Sequence, residues 1–366
     1  MFRQYHFRDY KISLVLWIVI LSVLGIMIIG SAQRSSQSRQ IVGLMLGLTV
    51  MFIFSLVDYT WLIGFSWVWY TAGALLLAAV LVIGENVNGA TRWIRIGIQF
   101  QPSDLMKIVL ILFFADYFAR HEDRLNTFKV IAGSVLLLGI PLFLIYKEPD
   151  LSTTIATGLT FCAIIFAAGL SFRIIGGILL VTVPLIVVFF SIILRPGQTL
   201  LEEYQLNRIM AWLRPADYAN EAYQQTNSVI AIGSGQLYGK GLNNNVVSSV
   251  KGGNFIAEPQ TDFIFAVAGE ELGFLGCCLI ILLELLIAVG CLRIAYNAKD
   301  TAGKLICCGM ASLVIFQSFI NIAVATNLMP NTGITLPFVS YGVTSLLTFC
   351  FGMGIVLNVG LQSRRY

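Results

Sequence analysis

Runs of about twenty apolar residues recur along the whole of this 366-residue chain, and they limit the folds open to it. A helix rises 1.5 Å per residue, so roughly 20 residues match the ~30 Å hydrocarbon layer of a bilayer. Only 11% of residues are charged and 57% are hydrophobic, whereas a soluble domain carries roughly 25% charged residues. A membrane β-barrel would show short alternating segments, and the apolar runs here are unbroken. The expected fold is all-α, a polytopic membrane protein with about ten transmembrane helices in a single integral membrane domain over residues 1–366.

The spans read as about 12–32, 40–57, 63–84, 102–119, 129–147, 151–169, 172–194, 263–295, 303–326 and 338–361. The third starts in an aromatic, weakly polar stretch, Trp61 to Tyr70. The eighth is too long for one crossing and is expected to bend near Gly273 and Gly276 or to project beyond the bilayer. All seven cysteines fall inside predicted spans, where they act as small apolar residues rather than a disulfide framework. The first apolar run lacks a small-residue cleavage site and reads as a retained span. The net charge of +4 is dispersed with no basic tract, which argues against nucleic-acid binding.

An even number of spans places both termini on one side. With a cytoplasmic N-terminus, twelve of the 23 lysines and arginines lie inside, among them Arg3, Arg8, Lys11, Arg120, Arg124, Arg364 and Arg365. Arg208, Arg214, Lys240 and Lys251 lie in the long loop 195–262, and long loops largely escape the positive-inside rule. Excluding them leaves twelve inside against seven outside, so N-in and C-in is expected. That makes the loop between the seventh and eighth helices, 195–262, extracellular, together with 85–101, the Lys147–Asp150 turn and 327–337.

Polar residues concentrate in a few segments. In Arg92-Trp93-Ile94-Arg95 through Gln101-Pro102-Ser103-Asp104-Leu105-Met106-Lys107, Asp104 suits the first turn of a helix and Lys107 lies three residues on. An i,i+3 ion pair with an interfacial tryptophan is one reading. Arg92, Arg95 and Lys107 gripping an anionic headgroup such as a phosphate is the other. In Lys147-Glu148-Pro149-Asp150, Asp150 is placed to cap the following helix. The stretch Ile230 to Gly241 is glycine-rich but is no Walker loop, since Ser234 and Gly241 stand where Gly and Ser/Thr are required. Its glycines are expected to let backbone approach a ligand or the membrane surface closely. Two prolines and two glycines between Pro330 and Gly342 break the helical pattern at membrane depth, which is tolerated only inside protein or along a wet cavity.

Asp262 stands where the long loop meets the eighth span. A carboxylate at a membrane rim is costly unless paired, hydrated or used. It reads either as a helix cap or as a catalytic acid. Glu270 and Glu271 follow roughly 12 Å deeper at 1.5 Å per residue and point elsewhere around the helix. Pairing with buried basic or polar groups is the plain reading for them.

Taken together, these segments resemble the SEDS family (shape, elongation, division and sporulation). The resemblance covers nearly the whole chain. It rests on Gly89-Ala90-x-Arg92-Trp93-Ile94 with Gln101-Pro102-Ser103-Asp104; on Pro149-Asp150-Leu151; on Ile230-Ala231-Ile232-Gly233-Ser234-Gly235 with Gly239-Lys240-Gly241; on Thr261-Asp262-Phe263 with Glu270-Glu271-x-Gly273; and on Pro330-x-Thr332-Gly333 with Leu336-Pro337-Phe338-x-Ser340-Tyr341-Gly342. Within the family it is most similar to the RodA branch. The chain departs from the family pattern at Asp104 (usually Glu), Ser152 (Gly), Gln260 (His) and Val343 (Gly).

The resemblance implies a peptidoglycan glycosyltransferase in the bacterial cytoplasmic membrane. It would polymerise lipid II, an undecaprenyl-pyrophosphate-linked disaccharide pentapeptide, into glycan strands during elongation. A class B penicillin-binding protein is the implied partner, and a divalent cation, Mg²⁺ or Mn²⁺, the implied cofactor, with ligands unassigned. Asp262 matches the catalytic position and would act as general base. Arg92, Trp93, Asp104, Lys107, Arg208, Lys240, Glu270 and Ser340 are the expected substrate-binding residues. Two other classes remain open: a flippase for the lipid-linked precursor, and a non-catalytic scaffold for the penicillin-binding protein. A division or sporulation role is the alternative to elongation.

Overall fold

The computed structural model describes residues 10–87, 90–96, 98–193, 203–243 and 255–362. Gly89, Arg3, Arg8, Lys251, Arg364 and Arg365, all used in the sequence reading, lie outside them. Thirteen α-helices are described: α1 Ile12–Ala32, α2 Arg34–Leu56, α3 Tyr59–Gly64, α4 Ser66–Ile83, α5 Pro102–Arg120, α6 Phe128–Lys147, α7 Leu151–Ala167, α8 Phe172–Ile193, α9 Glu203–Leu213, α10 Ala219–Ser234, α11 Ile264–Tyr296, α12 Thr301–Ala325 and α13 Val343–Leu361. Each of the ten predicted spans coincides with a helix, the third with α4. Among the described residues, seven helices are long and apolar enough to cross a membrane. Of the other three predicted spans, α7 is a residue short of that length and α5 carries Asp104, Lys107, Asp116 and Arg120.

Two features of the external pieces are not visible in the hydropathy. The long loop contains α9 and α10. The segment after α4 folds as a small antiparallel sheet, β1 Glu85–Val87, β2 Ala90–Ile96 and β3 Ile98–Phe100, in the order β1-β2-β3. Arg92 and Trp93 are neighbours on β2, so the strand's two-residue period directs them to opposite faces.

α12 and α13 bury 67% and 72% of their apolar windows, against 28% for α4 and α6. The first pair is therefore the middle of the bundle and the second faces lipid. Small residues let α2 and α13 approach closely. A Cβ on Gly43 would lie 3.2 Å from Val343, and one on Gly47 would lie 2.9 Å from the Cys350 sulfur. Val343, a departure from the family pattern, thus has a facing glycine to accommodate it.

Contacts between helix ends fall into two sets, one per membrane face. On one face Tyr59 donates to Asp300 (2.8 Å), Ser66 to Asp116 (2.6 Å) and Thr301 to Glu122 (2.8 Å). On the other, the Asn243 N–H donates to Ser31 (3.0 Å), Gln225 to the Met329 carbonyl (2.8 Å) and Ser152 to the Thr332 carbonyl. This is the alternation that the ten-span reading requires.

α11 is 33 residues long and is broken at Gly273, whose φ of +66° and ψ of −164° are non-helical. The bend therefore occurs where it was expected. The break frees backbone groups that water cannot reach, and the turn after α10 supplies their partners. The N–H groups of Lys240 and Gly241 donate to the carbonyls of Glu270 (2.9 Å) and Glu271 (3.0 Å), while Phe274 and Leu275 donate back to Gln236 (2.8 Å) and Leu237 (3.2 Å). The glycine-rich stretch thus makes a close backbone approach, and its neighbour is the backbone of α11.

α9 and α10 are fixed over the end of α12. Trp212 donates to the Asn327 carbonyl (3.0 Å), Gln225 to that of Val324 (3.0 Å) and Ser228 to that of Ala325 (2.6 Å). The Val324 and Ala325 carbonyls belong to the last turn of α12, where the helix itself supplies no donor, and Asn327 lies just beyond it.

Candidate active site

Residues 255–263 lead from the long loop into α11, and Asp262 belongs to that descent. It does not cap the helix, because the N-cap position is Phe263 and no side chain caps there. Of the two readings, helix cap or catalytic acid, the first is excluded.

Around Asp262 the backbone is irregular, and its polar groups are satisfied by side chains from the bundle. Asn321 on α12 donates from its single amide to the carbonyls of Asp262 (2.8 Å) and Ile334 (2.7 Å). Ser340 donates to the Thr261 carbonyl (2.7 Å) and accepts from the Leu336 N–H (2.7 Å). The Tyr341 N–H donates to the Gln260 carbonyl (2.8 Å). Gln40 on α2 clamps the far end of the segment, donating to the Ser340 carbonyl and accepting from the Gly342 N–H, both at 3.2 Å. The broken segment 326–342 is therefore the floor on which the Asp262 loop rests. At Gly333, with φ +71°, an added Cβ would lie 3.3 Å from Asp262 Oδ2, so backbone passes directly against the carboxylate. Ser340, expected at the substrate, holds this floor to the loop.

Burial is the largest influence on the Asp262 carboxyl and pushes its pKa up from the ordinary 3.8 to about 6. Arg92 opposes the shift, Glu258 adds to it, Arg208 opposes it and Asp150 adds to it. The side chain still keeps part of its surface exposed. Such a carboxylate is ionised at neutral pH, accessible, and a better proton acceptor than an ordinary aspartate. The two cations that act on it come from segments outside the predicted spans, Arg92 from β2 and Arg208 from α9.

Arg92 also reaches Asp150 at 3.7 Å. Asp150 caps α7 through the Thr153 N–H (3.0 Å) and accepts from Gln101 (3.0 Å). It is thus both the predicted turn residue and an anchor for Arg92. Beside it, Glu148 is wholly buried, and neither of its oxygens has a hydrogen-bond partner. Burial first and Asp150 second push its pKa up to about 8, against Arg92, so it is mainly neutral at pH 7. Local spacing does not single it out.

Arg92→Gln removes a charge that favours the ionised form of Asp262. The acid limb of a pH–rate profile is then expected to move above pH 6, with weaker binding of an anionic substrate. A variant profile with its limb unmoved would show that Arg92 does not reach the site electrostatically.

Lys107 is in the bundle rather than at headgroup level. It pairs with Asp104 at 2.8 Å and donates to Gln317 on α12 at 2.9 Å. The Gln317 amide in turn donates to the Thr335 carbonyl (3.0 Å). The i,i+3 ion pair is therefore realised, and it is attached to the same broken segment that supports Asp262. Lys240 and Glu270, both expected at the substrate, pair with each other at 2.8 Å, and Ser31 donates to Glu271. These are the paired roles that the plain reading gave the two glutamates. Trp93 is half-buried on β2. The side chain of Arg95 lies outside the described set.

Gln317, Asn321 and Gln40 were not anticipated. Their signal was present, since Gln317 and Asn321 are polar residues four apart in an apolar span and therefore share one helix face. Among the described residues no three His, Cys, Asp or Glu side chains form a metal site.

A family described as "Cell cycle protein" and comprising FtsW, RodA and SpoVE matches residues 8–365. A probable peptidoglycan glycosyltransferase FtsW of Geobacter sulfurreducens is 31% identical over 374 residues, covering 96% of this chain and 95% of that protein. The protein of the same name from Coxiella burnetii is 34% identical over 372 residues, covering 95% and 96%. Among solved structures, a chain of a peptidoglycan synthase complex that coordinates polymerization and crosslinking superposes with a TM-score of 0.78 at 29% identity, covering 96% of this chain and 97% of that one. The Thermus thermophilus rod shape determining protein RodA gives 0.70 at 28%, covering 98% of both chains. With nearly its full length matched, the chain belongs to the FtsW/RodA/SpoVE family of SEDS membrane proteins.

Proposed function

We propose that this chain is a peptidoglycan glycosyltransferase that polymerises lipid II at the outer face of the bacterial cytoplasmic membrane, with Asp262 as general base. The observation that carries the reading is a carboxylate at the membrane rim set directly against the broken segment at Gly333, its pKa pushed up to about 6 by burial and opposed by Arg92 and Arg208. Asp262 takes the proton from the 4-hydroxyl of the incoming lipid II. The freed oxygen attacks the anomeric carbon of the growing chain, and the bond from that carbon to undecaprenyl pyrophosphate breaks. The leaving group departs with its negative charge, which the two guanidinium groups are suited to receive. A divalent cation bound beside the leaving group would supply further positive charge to the departing pyrophosphate.

The proposal has N- and C-termini in the cytoplasm and a class B penicillin-binding protein as cross-linking partner. The solved relative from a synthase complex and the membrane architecture support that partnership. The resemblance to the RodA branch favours elongation, whereas the FtsW name of the curated relatives favours division. Depletion separates the two, because cells that round up indicate elongation and cells that grow into filaments indicate division.

The activity is tested by giving the purified protein lipid II and resolving the products by size, alongside vesicles carrying fluorescent lipid II. Glycan polymer is the expected product. Transfer of lipid II between leaflets without polymer would replace the enzyme with a flippase, and partner binding with neither would leave a scaffold.

A further inference from the structure

The polar face of α12 links two sites that are far apart in sequence. Gln317 and Asn321 are one helical turn apart in an otherwise apolar span, and both are almost fully buried, with exposures of 0% and 1%. Gln317 accepts from Lys107 (2.9 Å) and donates to the Thr335 carbonyl (3.0 Å). Asn321 donates to the carbonyls of Ile334 (2.7 Å) and Asp262 (2.8 Å). Ile334 and Thr335 are consecutive, so the two amides grip the broken segment at adjacent residues. Lys107 hangs from one end of the array and Asp262 from the other.

Asn321 has its amide orientation fixed by these contacts, since two carbonyls face its nitrogen and only a donor satisfies both. Its own oxygen is buried without a hydrogen-bond partner. A buried unsatisfied acceptor in a folded protein calls for an explanation. An apolar residue of the same shape would avoid it but would release both carbonyls. The arrangement favours location of the loop over local hydrogen-bond completeness.

We propose that Gln317 and Asn321 are positioning residues for glycosyl transfer: Asn321 fixes the Asp262 loop on the broken segment, and Gln317 fixes Lys107 on the same segment, so that α12 sets the separation of base and buried cation. Neither residue touches the reacting atoms. This rests on the assignment of Asp262 as base. The groups whose charge reaches Asp262 are Arg92 on β2, Asp150 in the α6–α7 turn, Arg208 on α9 and Glu258 in the loop, and none is on α12.

The two amides predict separable phenotypes. Asn321→Leu frees the loop, admits water to Asp262 and lessens the effect of burial. Polymerisation of lipid II is expected to fall at least tenfold, and the acid limb of its pH–rate profile to move down from about 6. Misfolding of part of the sample would scale the rate without moving the limb. Gln317→Leu leaves the Asp262 loop attached. Its limb is expected to stay in place, because Asp262 keeps its bond to Asn321, while the buried Lys107 loses one of its two partners and the melting temperature falls. Should Asn321→Leu not insert, Asn321→Ser, which retains one donor, is read by the same limb. An inserted Asn321 variant with an unmoved limb overturns the proposal, whether or not its rate falls. Identical limb shifts in both variants also overturn it. Asp262→Asn measured alongside keeps the two ideas apart. If it remains active the base assignment fails, whereas if it is inactive and the Asn321 limb is unmoved, only the positioning role fails.

Discussion

Asp262→Asn is expected to lower lipid II polymerisation by about 10² to 10⁴-fold, the usual worth of a general base, in protein that inserts normally. The substitution keeps the side chain's size and removes only its capacity to take a proton. The loop should stay in place, because Asn321 and the broken segment hold its backbone and not the Asp262 carboxylate. The wild-type profile carries the same signature. Burial raises the carboxyl from 3.8 to about 6, so the active, ionised form is present above that pH and is lost as pH falls through it. An ordinary exposed aspartate would hold activity down to about pH 4. Full polymerisation by purified Asp262→Asn would remove this residue from the mechanism. An acid limb near 4 would mean that the loop is more hydrated in the membrane than its burial implies.

The second large effect concerns stability. Gly239→Ala is expected to destabilise the protein by roughly 3 kcal/mol, combining a left-handed alanine with the loss of buried backbone hydrogen bonds. Gly239 has φ +77°, and a Cβ there would lie 2.2 Å from the Glu271 carbonyl oxygen. The turn would have to lift from α11, exposing the backbone groups freed at Gly273 with no water or neighbour to meet them. Gly241→Ala is the control. Its φ is +90° but nothing lies within 4 Å of an added Cβ, so only the conformational cost of about 1–2 kcal/mol remains. Thermal melts of both variants in detergent check this. Equal losses at the two positions would show that the contact with α11 contributes little.

Much of the fold was readable in one dimension. Each predicted span met a helix because hydrocarbon thickness imposes a length on apolar runs whatever the tertiary arrangement. Gly273 was legible as a bend because the run around it was too long for one crossing. The Asp104–Lys107 pair was legible because i,i+3 neighbours meet on any helix. The departures from the family pattern were legible as letters but not as contacts. Ser152 donates to the Thr332 carbonyl, and Val343 fills the space opposite Gly43. Neither pairing follows from local spacing.

The chain's own letters determined a polytopic helical membrane protein, the broken segment before α13, and Asp262 as an acid at a lipid boundary, all consequences of local hydropathy and backbone chemistry. Only the tertiary structure decided the surroundings of that acid. It freed Asp262 from capping, drew Arg92 and Arg208 towards it from separate external segments, and tied Lys240 to Glu270. It also placed Asn321 beneath the loop and turned the glycine-rich stretch into the splint of a broken helix. The physical reason is that burial and charge act through space. The pKa of a carboxylate and the partner of a freed carbonyl depend on neighbours that sequence order does not specify.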